Sequence, residues 1–501
     1  MNYYMGVDVG SSSSKGVLID RNAEICAEYS CLHDMENPKP GYFEHDAEKV
    51  WWGDFCEISR KLLSESKVDP RDIKGVGVSA LGADCVPVDE QCRPLRKAIL
   101  YGIDARAEEE LKEIENYIGA DRIKEMRGNP LCSEDVFAKS LWIKNKEPEI
   151  YEKTYKFCTG STYLTAKLTG IYVLDDYLAQ LCYFPAYRTD GTLAEEMVAP
   201  FIDPSMMPYT AKCTDIVGKV TKEAAGQTGL AEGTPVITGT DDAGAEAISA
   251  GIVQRGDTMI MLGSSMYMIS LSDHPIADAR LWNCPYLIPG IPSIQGATNN
   301  MGTVTKWLKE KLFPELEEAE KEGGENAYAA MVKLGESVPP GSEGLMALPY
   351  FSGERTPIND PYASGVLFGL RLHHDRRHIY RAFLEGIACG IAQNISVLEE
   401  NRVAIRQLIA TGGGTKNPLL LQILADVLGR EIFVPEVTIG ASYGDAVLSM
   451  IGCGELSSFE EAKKLFRYDV SYKPDETKYR FYREQLERFD KLYRSTKNIN
   501  I

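Results

Sequence analysis

A β-hairpin with a glycine–serine tip occurs twice in this chain, about 250 residues apart, and that repeat limits the folds open to it. The first copy spans Tyr4–Ile19: the apolar run YMGVDV, the turn GSSSS and the run KGVLI. The second spans Thr258–Leu271. Val9-Gly10-Ser11-Ser12 lies over Leu262-Gly263-Ser264-Ser265. On that register Asp8 falls opposite Met261, so only the first copy carries a carboxylate. A second pair of segments, Pro235–Ile248 and Gln407–Leu424, each runs from an apolar strand through a glycine turn into a helix. Two such pairs in the same order predict two α/β domains facing each other across a cleft, divided here as residues 1–246 and 247–501. A helix-rich stretch from Ala105 to Leu168 interrupts the first half, with helical spacing over Glu108–Tyr117 and Asp135–Lys144. Glu476–Tyr493 predicts a charged amphipathic helix covering the second domain.

The charge balance narrows the partners. There are 73 acidic residues against 54 Lys and Arg, a net charge of −19, which argues against nucleic acid or an anionic membrane as the main partner. No run of about 18 apolar residues occurs, and MNYYMGVDVG reads as a strand, not as a signal sequence, so no membrane association is expected. The 12 cysteines contain no C-x-x-C pair; a chain of 501 residues needs no disulfide framework, and free thiols in a reducing cytoplasm are expected. The adjacent pair His373–His374 has no metal-ligand spacing to a cysteine or a third histidine.

Phosphate chemistry needs backbone N–H donors, hydroxyls and a carboxylate for a divalent cation. Asp8-Val-Gly-Ser-Ser-Ser-Ser-Lys15 offers these on one hairpin: Gly10, Ser11 and Ser12 for phosphate, Lys15 for charge and Asp8 for metal. Its spacing is not that of a G-x-x-x-x-G-K-[ST] loop. Gly263, Ser264 and Ser265 form the matching tip in the second half. In Gly239-Thr-Asp-Asp-Ala-Gly244 two acids open a helix; one suffices as an N-cap. Asp241, the first after the strand, is the candidate base for a substrate hydroxyl. Gly412-Gly413-Gly414 lets another molecule approach the backbone, and an adenine or ribose is the candidate. The long loop Tyr350–Leu370 is dense in Gly, Pro and charge, and its aromatic residues argue for order.

With these motifs in place, the chain resembles the FGGY carbohydrate kinases, and among them the xylulokinase-like members. The resemblance rests on the Asp8–Lys15 hairpin, Gly41-Tyr-Phe-Glu-His-Asp46 with Trp51-Trp52, Pro94-Leu-Arg with Asp104-Ala-Arg106, Gly239–Gly244, Ser352-Gly-Glu-Arg-Thr-Pro357, and Gly365–Leu370 followed by His378–Glu385. Phe383 is larger than the family's usual residue there. The resemblance implies two actin/hexokinase-like (ribonuclease H-like) ATPase domains flanking a deep cleft. It also implies ATP and Mg²⁺ as cofactors, Asp241 as catalytic base, and substrate contacts by Asp84, Asp104 and Asp242. Gly412–Gly414 and Asn417 match the adenine-binding loop. Leu81-Gly82-Ala83 stands where xylulokinases carry Gln-Met-His and glycerol kinases Gln-Arg-Glu, and Asp242 stands where they carry Asn and Gln. The implied reaction is phosphorylation of a ketopentose such as xylulose. Erythritol, ribulose and gluconate-type substrates stay open, as do a sensor without catalysis, an actin- or chaperone-like ATPase and a homodimer.

Overall fold

The computed structural model describes residues 1–127, 130–468 and 470–499. The chain builds two α/β units. The first is made of Met1–Val253, Pro285–Gly290 and Ile439–Phe466, the second of Gln254–Cys284, Ile291–Thr438 and Arg467 onward.

In the first unit, β1 (Tyr3–Val9), β2 (Ser13–Asp20) and β3 (Ile25–Leu32) form an antiparallel meander. Strand β4 (Ile73–Ala80) pairs parallel to β1. Beyond it lie β5 (Ile216–Lys219) and β6 (Pro235–Ile237), giving the order β5-β6-β4-β1-β2-β3, and the short β7 (Thr240–Asp241) also pairs with β4. Strands β1 and β4 are buried almost throughout, as expected for strands covered on both faces. Helix α1 (Gly53–Ser66) covers one face, burying Phe55, Ile58 and Leu62.

In the second unit, β8 (Asp257–Leu262), β9 (Met266–Leu271), β10 (Trp282–Cys284) and β11 (Ser293–Thr298) form the antiparallel part. The sheet runs β10-β11-β9-β8-β12-β13-β14, with β12 (Gln407–Thr411), β13 (Ile432–Val434) and β14 (Val470–Tyr472). Pair by pair, β11-β9-β8-β12-β13-β14 repeats the orientations of β3-β2-β1-β4-β6-β5: two antiparallel pairs, two parallel, one antiparallel. The duplication read from the two hairpins is therefore present in both sheets.

The second sequence pairing needs correction. Gln407–Thr411 lies against the hairpin strand β8, so its counterpart is β4, not the strand at Pro235. The counterpart of β6 is β13, since each pairs with the parallel neighbour of the hairpin. A strand–glycine–helix signature is local, whereas equivalence is fixed by position in the sheet.

The continuous half expected over 247–501 also needs correction, because 439–466 folds into the first unit. Helices α2 (Asp242–Ser249), α3 (Gly302–Leu312), α4 (Arg376–Glu400), α5 (Pro418–Leu428) and α6 (Ala441–Gly452) frame the two units. Helix α6 packs backbone against backbone on β1, β4 and α2. A Cβ on Gly6 would lie 1.9 Å from the Ser442 carbonyl oxygen, one on Gly77 2.2 Å from that of Asp445, and one on Gly444 1.9 Å from that of Ala245. Only glycine permits that approach.

The insertion helices form as read, over Glu108–Ile118 and Val136–Lys146, and the last helix spans Glu476–Thr496, burying Tyr482, Leu486, Phe489 and Leu492. Phe383 lies on the buried α4 and meets Phe351 edge-on at 5.4 Å; Phe351 in turn meets Trp307 at 5.0 Å. That row of rings accommodates the larger side chain and orders the start of the long loop.

Candidate active-site groups in each unit

The carboxyl ends of three parallel strands bring the acids of the first unit together. Asp8 pairs in register with Ser79, Val9 with Ala80, and Ala80 with Asp241. The carboxyl edge of a parallel sheet is the usual place for ligands in α/β proteins.

Asp241 ends β7 and is the N-cap of α2, its Oδ1 accepting from the Gly244 amide at 2.8 Å. The same residue thus caps the helix and presents an acid. Oδ2 receives no donor from another described residue, and the side chain is only 4% exposed. Burial pushes its carboxyl up to about 6, against the bond from Gly244. Gly82 gives it room: a Cβ there would lie 2.5 Å from the Asp241 Cβ. This is the physical reason Leu81-Gly82-Ala83 carries no side chain at its centre. Asp242 opens α2, half-buried, and burial with the charge of Asp241 pushes it well above the ordinary range.

Asp8 is half-buried and pushed up to about 6 by burial, against the bond from Ser79 and the charge of Lys15. Its companion, Asp445 on α6, is marked by no local motif. The Ser79 hydroxyl lies 2.7 Å from Asp445 Oδ2 and 3.0 Å from Asp8 Oδ1. One hydroxyl hydrogen serves one carboxylate at a time, and burial together with the charge of Asp8 pushes the fully buried Asp445 well above the ordinary carboxylate range. No spacing in the chain links residues 8, 79 and 445; only the return of α6 joins them.

The hairpin tip is held from below. His33 bonds Asp54 Oδ2 through Nδ1 at 2.8 Å and the Gly10 carbonyl through Nε2 at 3.0 Å, and the buried Ser14 donates to the same Asp54 oxygen at 2.7 Å. Ser14 is thus committed to structure, whereas Ser11 and Ser12 retain exposure and Lys15 is exposed opposite Asp8.

Asp84 is fully buried. Its Oδ1 accepts from the Tyr101 amide at 2.9 Å and its Oδ2 has no hydrogen-bond partner among the described residues. Lys139, which the sequence reading did not single out, donates to the carbonyls of Leu100 and Tyr101 at 2.6 and 2.7 Å. Burial pushes Asp84 up and Lys139 down, and their attraction opposes both shifts. Asp104 departs from its expected substrate role. Its two oxygens accept from Arg106 Nε at 2.9 Å, Arg106 Nη2 at 2.7 Å and the Phe43 amide at 2.6 Å, and it is fully buried. It is a structural ion pair, and removing one partner would strand a buried charge at a cost of about 3–5 kcal/mol.

In the second unit the two glycine loops meet. Strands β8 and β12 run in register to Met261 and Thr411, so both turns leave the sheet at the same edge. Gly412 has φ +82°, and its Cβ would lie 2.8 Å from the Leu262 carbonyl oxygen. A Cβ on Gly414 would lie 2.6 Å from the Leu262 Cβ, and one on Gly302 2.5 Å from the Gly263 carbonyl oxygen. The amides of Gly302 and Thr303 donate to Gly263 and Ser264 at 3.1 Å each. The tip Gly263-Ser264-Ser265, the turn Gly412–Gly414 and the N-terminus of α3 therefore make one surface, and helix N-termini favour anions. Met301–Thr303 was missed by sequence because nothing marks it before the fold does. Asn417 caps α5 through Oδ1 at 3.0 Å and donates to the Tyr380 hydroxyl at 3.1 Å. The Ser352–Pro357 segment is stitched to the end of β11: Glu354 Oε1 accepts from the Asn299 amide at 2.6 Å, and Asn300 Nδ2 donates to the Gly353 carbonyl at 2.8 Å.

Comparison with known proteins agrees with this geometry. Residues 3–249 match the N-terminal domain, and residues 258–453 the C-terminal domain, of the FGGY family of carbohydrate kinases. The chain is similar to a xylulose kinase of Bacillus subtilis, 28% identical over 505 residues that cover 100% of this chain and 98% of the relative. A gluconokinase of Bacillus licheniformis is 25% identical, covering 99% and 96%. The crystal structure of xylulose kinase from Rhodospirillum rubrum superposes with a TM-score of 0.88 at 30% identity over 99% of each chain. With both domains matched in order, the chain belongs to the FGGY family of carbohydrate kinases, enzymes that use ATP to phosphorylate a sugar on an actin/hexokinase-like fold.

Proposed function

We propose that this kinase phosphorylates a neutral ketopentose of the xylulose type, with Asp241 as its base. The observation that carries the reading is the Asp241 carboxylate: one oxygen fixed by the cap of α2, the other without a donor, at the carboxyl edge of the sheet. The fixed oxygen sets the rotamer, and the other takes the proton of the sugar hydroxyl as that oxygen bonds the γ-phosphorus and ADP leaves. Asp84 and Asp242 contact the sugar. The side chains of Asp84 and Asp242 offer hydrogen-bond partners for sugar hydroxyls, which suits a neutral polyol or ketose. Relatives named xylulose kinase support the same substrate class.

On this reading the sugar and the base belong to the first domain, residues 1–246, and ATP to the second, residues 247–501. The segment 439–466 is counted with the first by its packing. Gly10, Ser11, Ser12 and Lys15, with Gly263, Ser264 and Ser265, bind phosphate, and Gly412–Gly414 with Asn417 bind the nucleoside. Mg²⁺ fits Asp8, an acid with one hydroxyl partner shared with Asp445, and would offset phosphate charge there. Twelve free cysteines support a cytoplasmic location. Among the described residues no helix is long and apolar enough to cross a membrane. A homodimer is the assembly proposed.

The test is ADP release across a sugar panel. D-xylulose or another ketopentose is expected to give the highest kcat/KM, at least tenfold above gluconate and erythritol. Equal or higher turnover of gluconate would overturn the substrate assignment, and ADP release indifferent to every sugar would overturn the base assignment as well.

The base also sets a pH profile. The folded-state value of Asp241 is about 6, raised from 3.8 by burial. The base form exists above that value, so kcat/KM is expected to fall about tenfold per pH unit below 6 and to be flat above it. The stability sign is opposite: a raised carboxyl holds its proton more tightly when folded, so its unfavourable contribution is present above about pH 6 and is lost as pH falls toward 3.8.

A further inference from the structure

The long loop Tyr350–Leu370 and the residues just after it leave large apolar side chains in solvent. Within this stretch the strand Val366–Phe368 pairs antiparallel with Met346–Leu348, and the two form a sheet of their own. The inner strand rests on α4, where a Cβ on Gly386 would lie 2.2 Å from the Ala347 carbonyl oxygen. The outer strand, Val366–Phe368, pairs with no other strand among the described residues. Phe368 and Leu370 are each 60% exposed, and Leu372 is fully exposed. Bulky apolar groups therefore stand at alternate positions from 368 to 372, directly before the first turn of α4.

Contacts within the second unit extend this row. A Cβ on Gly365 would meet the Phe351 ring at 2.5 Å, and Trp307 of α3 meets Phe351 edge-on. The Pro361 carbonyl oxygen lies 2.5 Å from a would-be Cβ on Gly353, which seats the exposed Tyr362 beside the same loop. Trp307 and Phe351 are also exposed. At 150–250 Å² for each aromatic side chain and somewhat less for each leucine, Trp307, Phe351, Tyr362, Phe368, Leu370 and Leu372 together expose roughly 700 Å². That is more than a monomer ordinarily leaves open, and it approaches the area of about 800 Å² that each partner gives to a stable interface.

The charges around the row choose the occupant. A net charge of −19 sets two copies of this chain against each other, so contact needs a face whose own charges balance. Here Arg371, Arg376 and Arg377 stand against Glu315, Glu343 and Asp375. Arg376 pairs with Glu315 at 2.6 Å and Arg377 with Asp375 at 2.7 Å, and Glu343 lies 3.1 Å from His373 and 3.7 Å from His378. A balanced apolar face has no pull on a polyanion and lets two acidic copies meet. An unpaired strand edge is also complementary to itself, since two such edges run antiparallel about a two-fold axis and exchange backbone hydrogen bonds.

We propose that this face, from Trp307 and Phe351 through Tyr362 to Phe368, Leu370 and Leu372, is the two-fold interface between two copies of this chain. The proposal rests on the homodimer reading above and names its surface. Each copy covers the rings and leucines of the other, and the edge of Val366–Phe368 meets its counterpart.

The test is sedimentation velocity of the full chain across a concentration series. The wild type is expected to be a dimer that dissociates only on dilution. Leu370→Glu combined with Leu372→Glu sets carboxylates of both copies across the axis and is expected to raise the dimer dissociation constant by about 100-fold or more. Its circular dichroism spectrum is expected to match the wild type, because both leucines are exposed. Leu32→Glu, at an exposed leucine of the first unit, is the control expected to leave the dimer intact. Hydrogen exchange of the wild type needs no variant: amides of 366–372 are expected to slow as concentration rises, and those of the exposed strand Ile25–Leu32 to stay unchanged. A wild type that stays monomeric at every concentration would overturn both the homodimer reading and this face. A dimer that survives the leucine substitutions, or whose amides at 366–372 gain no protection with concentration, would overturn the face alone. Mass and exchange are read without turnover, so the outcome is independent of the substrate assignment.

Discussion

Asp241→Asn lowers sugar-dependent ADP release by about 10³-fold or more, with nucleotide binding held at the wild-type value and a melting temperature at or above it at neutral pH, because the amide removes a buried charge. The size follows from what a positioned base contributes, about 10²–10⁴ in rate, and this base sits on the reacting hydroxyl in the proposed chemistry. Asparagine is the informative substitution because it keeps the cap. Oδ1 accepts from the Gly244 amide at 2.8 Å, and an amide oxygen serves there as well as a carboxylate. Asp241→Ala removes both roles, costing about 1 kcal/mol of helix capping in addition to the proton acceptor. Comparing the two variants by ADP release and by thermal melting separates catalysis from folding. If Asp241→Asn keeps wild-type turnover with any ketopentose, another group takes the proton and the proposed mechanism is wrong.

Gly444→Ala is expected to destabilise the first unit by about 3 kcal/mol or more, enough to lower expression or shift melting by several degrees. Glycine inside a helix ordinarily costs about 1 kcal/mol relative to alanine, so the exposed expectation has the opposite sign. Here the new methyl would lie 1.9 Å from the Ala245 carbonyl oxygen, and helices α6 and α2 would have to separate. Gly226→Ala is the matched control: it lies inside the helix Lys222–Thr228 with no atom within 4 Å of its would-be Cβ. That change is expected to stabilise by up to about 1 kcal/mol. Denaturant melts of both variants check the pair; equal, small effects would mean that α6 does not rest on backbone.

The movement of α6 also reaches the acids. Asp445 is on that helix, and its Oδ2 lies 2.7 Å from the Ser79 hydroxyl that also meets Asp8. A partly displaced α6 is therefore expected to change the metal requirement before it abolishes the fold.

Much of this was legible in the chain as a string of residues. The two glycine–serine hairpins, the acids at 241 and 242 and the triple glycine at 412 are local features. Each follows from the chemistry of a tight turn, a cap or a close backbone approach, and a few consecutive residues decide it. The insertion helices were legible for the same reason, since their 3.6-residue period needs no distant partner. Other features are long-range. The fold alone decided that 439–466 belongs with the first unit, that Asp445 shares Ser79 with Asp8, that Asp104 is consumed by Arg106 and the Phe43 amide, and that Glu343 and His378 meet the histidine pair. The physical reason is common to all four. Sheet order and glycine-permitted backbone contact join residues far apart in sequence, and no local propensity records which distant segment will fill the space a missing Cβ leaves.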